Sequence, residues 1–139
     1  MDKKNKVADW MTANPITIEE DAPIIEAMHL LKEKGFRRLP VMKRGKVAGV
    51  LTERMLLSFS PGKSTSLDTW EVHYLLAKTP VREAMNPKPH TVTPDTPVSE
   101  AAKLLHDRKL NGVLVVNDKR ELVGIFTTTN ALEALIAFA

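Results

Sequence analysis

The sequence predicts an α+β fold built of two β-α-β-β-α copies packed on each other with pseudo-twofold symmetry. Three observations carry this. Sliding the chain by 74 residues lays Val7, Met11, Pro15, Thr17, Asp21, Pro23, Glu26, Ala27 and Val41 on Val81, Met85, Pro89, Thr91, Asp95, Pro97, Glu100, Ala101 and Val115. Beyond one extra residue, Gly49, Thr52 and Leu57 fall on Gly124, Thr127 and Leu132, so the chain is an internal duplication. Within each copy apolar residues recur at helical spacing, at Ile24, Ala27, Met28 and Leu31 and at Val98, Ala101, Ala102 and Leu105, which is a single buried stripe. Finally, Leu39 to Met42 and Val113 to Val116 are too apolar for one-sided strands and read as strands buried on both faces. Neither copy has enough surface to bury its own sheet alone, so the two are expected to pack on each other as one pseudo-symmetric unit.

Each copy opens on a short lead-in helical turn and an extended segment. Its first helix starts at Asp21-Ala-Pro23 or Asp95-Thr-Pro97, where the acid can cap and the proline fits the first turn. Polar turns at Lys43 to Lys46 and Asn117 to Glu121 return the chain, and the extra residue lies in them, where insertion is tolerated. The returning strands pass through Gly49 and Gly124 and end on Thr52 and Thr127, just where helix-compatible residues begin. A threonine at such a junction either caps the helix or helps hold an anion against unpaired N–H groups. Between the copies, Ser60 to Thr69 is a turn-rich connector. It runs into Asp68-Thr-Trp-Glu71, a capping-box pattern that opens a helix through about Lys78. The expected domains are therefore residues 1–60 (first copy with N-terminal tail), 61–80 (linker with a short helix) and 81–139 (second copy). The final run, ALEALIAFA, is almost wholly apolar and reads either as a packed interface or as a lead into a further domain.

Composition narrows the function. With 139 residues, 43% of them hydrophobic, the chain can bury a proper core. It has no cysteine, so thiolate chemistry and disulfides are excluded, in keeping with a reducing cytoplasm. His29, His73, His90 and His106 are scattered without ligand spacing, so no metal site is expected. No apolar run is long enough to span a bilayer, and no signal-type segment follows the N-terminus. There is no nucleophile with a base and no repeated pair of catalytic carboxylates, so no catalytic residues are assigned. The net charge is +3, and its excess lies in the first copy, where Lys32, Lys34, Arg37, Arg38, Lys43, Arg44 and Lys46 sit with Glu33 alone. That run suits a solvated face or a phosphate-bearing partner. Nucleic acid is the weaker reading, because the second half is near neutral and aromatics are few. Trp10, Trp70 and Tyr74 read as packing residues.

The stretches WMTANPITIEEDAPIIEAMHLL and RRLPVMKRGKVAGVLT, with their partners AMNPKPHTVTPDTPVSEAAKLL and NGVLVVNDKRELVGIFT, resemble CBS domains, and the whole chain resembles a CBS pair, or Bateman module. The connector SPGKSTSLDTWEVHYLLAK is similar to that of acetoin-utilisation-type CBS proteins. The resemblance implies a non-catalytic regulatory module, without a required cofactor, that binds AMP, ADP, ATP or S-adenosylmethionine in clefts between the copies. It also implies a homodimer. The alternative is a structural or dimerisation module with degenerate ligand sites.

Carried over position by position, the resemblance places the first site at Thr17, Ile18, Phe36, Arg37, Arg38, Leu39, Pro40, Thr52, Arg54 and Met55. The second falls at Thr91, Val92, Leu110, Asn111, Gly112, Val113, Leu114, Thr127, Thr129 and Asn130. Core packing is the stronger reading for Phe36 and Leu110. The chain departs from the family at the ribose-binding aspartate three residues after each threonine, where Met55 and Asn130 stand. Methionine accepts no useful hydrogen bond and asparagine brings no charge, which costs about 1.5–3 kcal/mol per lost charge-assisted contact. Charge favours a di- or triphosphate in the first site, and the acceptor of Asn130 favours an adenosine-like or monophosphate ligand in the second.

Overall fold

The computed structural model describes residues 5–59 and 68–138; Ser60 to Leu67 of the connector lie outside the described residues. The element order is β1 (Thr12–Ala13), β2 (Ile18–Glu19), α1 (Ile24–Lys34), β3 (Arg38–Lys43), β4 (Lys46–Thr52), α2 (Glu53–Ser58), α3 (Thr69–Lys78), β5 (Thr91–Val92), α4 (Val98–Arg108), β6 (Gly112–Val116), β7 (Leu122–Thr127) and α5 (Thr128–Phe138). Short 3-10 turns at Val7–Asp9 and Val81–Glu83 precede the two copies. Two β-α-β-β-α copies in an α+β chain are thus present, joined by α3.

The residues fall into two compact units that cut across the sequence copies. One comprises Ile16–Arg44 and Ala48–Lys88, the other Met1–Pro15, Gly45–Val47 and Pro89–Ala139. In the first unit, β2 pairs parallel with β3, Ile18 opposite Val41, and β4 completes a three-stranded sheet in the order β2-β3-β4. Its core joins Ile24 and Ala27 of α1, Leu39, Val41 and Leu51 of the sheet, Leu56 of α2, Leu76 of α3 and Val81. In the second unit, β5 pairs parallel with β6 in the equivalent register, Val92 opposite Val115. β7 runs antiparallel to β6, and β1 adds to β7 with Ala13 opposite Gly124. Its core joins Val7, Val98, Ala101, Leu105, Val113, Val115, Phe126 and Ala134. The lead-in turn of each copy therefore completes the core of the unit that carries the other copy's first helix: Val7 with α4, and Val81 with α1.

That exchange also starts the helices. Asp21 and Asp95 do not cap them; the caps are Pro23 and Pro97, in extended conformation and with no side-chain cap. The first helical N–H groups are satisfied by backbone from the lead-ins, Ile24 N–H donating to the Thr79 carbonyl (2.8 Å) and Val98 N–H to that of Asn5 (2.7 Å). A tertiary carbonyl thus does what a capping side chain would otherwise do. The displaced acids form ion pairs with lead-in bases, Asp21 with Arg82 and Asp95 with Lys6.

Other local expectations hold. All four residues Leu39 to Met42 are buried, as is the whole of β6. The first hairpin turns through Arg44 and Gly45, both at positive φ, as a two-residue primed turn requires. The second takes a longer path, the Asn117 side chain accepting from the N–H groups of Lys119 and Glu121. Asp68 caps α3 by accepting from Glu71 N–H at 2.8 Å. Trp70 and Tyr74, however, are not packing residues. Trp70 is 85% exposed and Tyr74 57%, because α3 turns Val72 and Leu76 to the core and positions 70 and 74 fall on the opposite side of a 3.6-residue helix. The Lys78 ammonium lies 4.6 Å from the centre of the Tyr74 ring. Trp10, by contrast, packs on its unit's core and meets Phe138 edge to face.

Candidate functional site

The two threonines end equivalent strands, and their surroundings differ. At the first junction Thr52 is the N-cap of α2, its hydroxyl oxygen accepting from Met55 N–H at 3.1 Å. Among the described residues that hydroxyl donates to nothing. Met55 is half-buried against the core, so the side chain that replaces the family aspartate is a packing group. Glu53 N–H donates to the Arg37 carbonyl at 3.1 Å, which brings the start of α2, with Arg54, against the residues leading into β3. Arg37, Arg38, Thr52 and Arg54 accordingly lie at the same end of the β3–β4 hairpin. Arg37 and Arg54 are exposed and Arg38 is half-buried; among the described residues none of the three forms an ion pair. Burial first, and the like charge of Arg37 second, hold the Arg38 guanidinium below its ordinary range.

At the second junction the threonine is fully engaged. Thr127 N–H and Thr127 Oγ1 both donate to Asn130 Oδ1, at 2.9 and 3.0 Å. Asn130 N–H donates back to Thr127 Oγ1 at 3.2 Å, and Asn130 Nδ2 donates to Glu133 Oε1 at 3.1 Å. Asn130 is 7% exposed and is the buried polar side chain among the described residues. The loop before β6 is tied to the same place, the Asn111 carbonyl accepting from Thr128 N–H at 3.0 Å and from Thr128 Oγ1 at 3.3 Å.

The remaining candidate residues divide between core and surface. Ile18, Leu39, Val113 and Leu114 are almost fully buried, as are Pro40 and Gly112. Phe36 and Leu110 pack against the cores of their respective units. Thr17, Asn111 and Thr129 are exposed. Thr91 and Val92 line an open groove of about 490 Å³ together with Leu104, Lys103 and Arg108 of α4. Glu133, which no motif marks, joins the site through its bond from Asn130 Nδ2. Its signal was there, as it lies one helical turn beyond Asn130, where side chains meet.

The basic run does not form one patch. Lys32 and Lys34 end α1, and Arg37 and Arg38 follow at the start of β3. Lys43 and Arg44 lie at its far end, about 17 Å away at the rise of a strand, and Lys43 pairs with Glu20 at 3.5 Å. The four histidines are exposed, and no metal-type cluster occurs among the described residues. No described helix is long and apolar enough to cross a membrane.

Comparison with known proteins agrees with this architecture. Over 96% of this chain and 98% of the other, the structure is similar to that of CBSX2 from Arabidopsis thaliana in complex with AMP, with a TM-score of 0.79 and 28% identity. It is similar to AcuB from Vibrio cholerae over 96% of this chain and 91% of that one, with a TM-score of 0.75 and 27% identity. Protein MJ1225 of Methanocaldococcus jannaschii is 29% identical over 87% of this chain, which spans only 45% of that relative's length. The model of the CBS domain matches residues 7–62 and again residues 81–137, and the chain belongs to the CBS domain family as a tandem pair.

Proposed function

We propose that this chain is a non-catalytic, ligand-sensing regulatory module that binds an adenine nucleotide or adenosyl compound at residues of its two copies. The observation that carries this is the full-length likeness to AMP-bound CBSX2, joined to duplicated threonines that both end a strand beside a helix. The candidate contacts are Thr17, Ile18, Arg37, Arg38, Thr52 and Arg54 in the first copy, and Thr91, Val92, Asn111, Thr127 and Thr129 in the second. The experiment is a thermal-shift and calorimetry panel of AMP, ADP, ATP and S-adenosylmethionine on the purified chain. A ligand at 100 times its Kd adds about 2.7 kcal/mol of stability. If none of the four binds at millimolar concentration, the sensing reading is wrong.

A second reading, a structural or dimerisation module with degenerate sites, draws on two observations. Met55 is packed on the core and Asn130 is held by its own helix, so neither side chain is free for a ribose. The outer face of α5 carries Leu132, Leu135, Ile136 and Phe138, all exposed, and a homodimer would cover an apolar surface of this kind. We take the protein to be a cytoplasmic homodimer in either case, with no required cofactor.

A further inference from the structure

We infer that the chain takes one nucleotide rather than two: a di- or triphosphate, its phosphates held in the first copy by Arg37, Arg38 and Arg54, with the Thr127 junction of the second copy closed by Asn130 and Glu133. This rests on the ligand-sensing reading and names the ligand class and the copy that binds it. It also reverses the sequence-based expectation that Asn130 leaves the second copy open to an adenosine-like ligand.

The first half of the argument is an uncompensated charge. Arg37 and Arg38, at the start of β3, and Arg54, in the first turn of α2, lie at the same end of the β3–β4 hairpin, their backbone segments joined by the Glu53 N–H to Arg37 carbonyl bond. The neighbouring Glu53 carboxylate is exposed and, among the described residues, bonds to none of them. Arginine does not shed its proton under ordinary conditions, so Arg38 remains a cation that is partly desolvated and lacks a partner. A half-buried cation of this kind is costly until an anion with good geometry reaches it. Guanidinium groups meet phosphate oxygens in bidentate fashion, and the free proton of the Thr52 hydroxyl supplies one further donor. Three positive charges at one end of the hairpin suit a polyphosphate better than a monophosphate.

The second half is a satisfied network. The equivalents of the three arginines are Asn111, Gly112 and Thr129, which carry no charge. Asn130 Oδ1 already accepts two bonds, one to each of its lone pairs, and the Thr127 hydroxyl proton is spent on it. Glu133, by accepting from Nδ2, fixes which way the amide points. A ligand oxygen would have to break bonds of a part-buried network centred on the buried Asn130 side chain, leaving polar groups unsatisfied.

The test is calorimetry of the whole chain with ATP, AMP, adenosine and inorganic tripolyphosphate. The expected result is one ATP per chain, ATP tighter than AMP, and a loss of about ten- to a hundredfold in ATP affinity in Arg38→Ala. Arg38→Lys should recover part of it, and Lys119→Ala, an exposed charge in the second hairpin turn, should leave it unchanged. Circular dichroism melts of each variant check that the fold is kept. Two ATP per chain with one lost in Thr127→Val, or equal affinity for ATP and adenosine, would overturn the inference and leave the sensing reading standing. Binding of tripolyphosphate without any adenine compound would sink the sensing reading and keep the arginine cluster.

Discussion

The sulfur of Met85 fills the space that a side chain at Gly49 would need: a Cβ built there would stand 2.7 Å from it and 2.5 Å from the Asn86 carbonyl oxygen. Gly124 stands in the same relation to Met11 and the Thr12 carbonyl, at 2.8 Å from each. Each glycine thus lets a lead-in backbone lie directly on a strand, through the β1–β7 pair in one unit and the Val50–Asn86 bridge in the other. These glycines serve close approach, which is a common reason for glycine in a strand.

Gly49→Ala should therefore destabilise the protein, since a backbone oxygen cannot move aside as a flexible side chain could. Overpacking of this kind costs about 1–3 kcal/mol, read as a lower urea midpoint. Combining it with Met85→Ala relieves only the sulfur contact, so the double variant should not regain the parent's stability. Full recovery would show that the methionine alone sets the requirement.

The junctions should differ in stability as they do in hydrogen bonding. Asn130→Ala removes the acceptor of the half-buried Thr127 N–H and hydroxyl and should cost about 1–3 kcal/mol. Thr52→Val removes a single cap, at about 0.5–2 kcal/mol. Chemical denaturation of the two variants side by side checks the order, and a milder effect at Asn130 would contradict the closed network described above.

Acid should act on Asp107. The hydrogen bond from His106, then that from Lys103, hold its carboxyl below the ordinary aspartate value of 3.8. A carboxyl depressed in the folded state adds stability above its unfolded value, and that contribution is lost as pH falls through the folded one. The window therefore lies below about pH 4. Carboxyl NMR titration should find Asp107 low, and His106→Ala should move its midpoint upward.

Assembly is the last test. Leu135 and Ile136 are 63% and 74% exposed, so Leu135→Glu with Ile136→Glu should leave the core intact. Light scattering should find the parent a dimer and the double variant a monomer at the same micromolar concentration. A monomeric parent would remove the assembly proposed from this face.

The sequence by itself determined everything that depends on neighbours within a turn or a strand: the duplication, the helical stripes from Ile24 and Val98, the doubly buried runs at Leu39 and Val113, the Asp68 cap and the threonine ends of β4 and β7. These are written in spacing, and spacing is what a sequence displays. Only the tertiary structure decided where the lead-ins go, so that Val7 and Val81 complete cores they do not adjoin in the chain and carbonyls of Asn5 and Thr79 take over the capping that Asp95 and Asp21 were expected to do. It separated Lys43 from Arg38, because six residues of extended strand carry two charges apart however close they stand in the sequence. It also turned Asn130 inward. An asparagine's residue type says only that it can donate and accept; which partners it takes depends on which groups are buried beside it and would otherwise go unpaired.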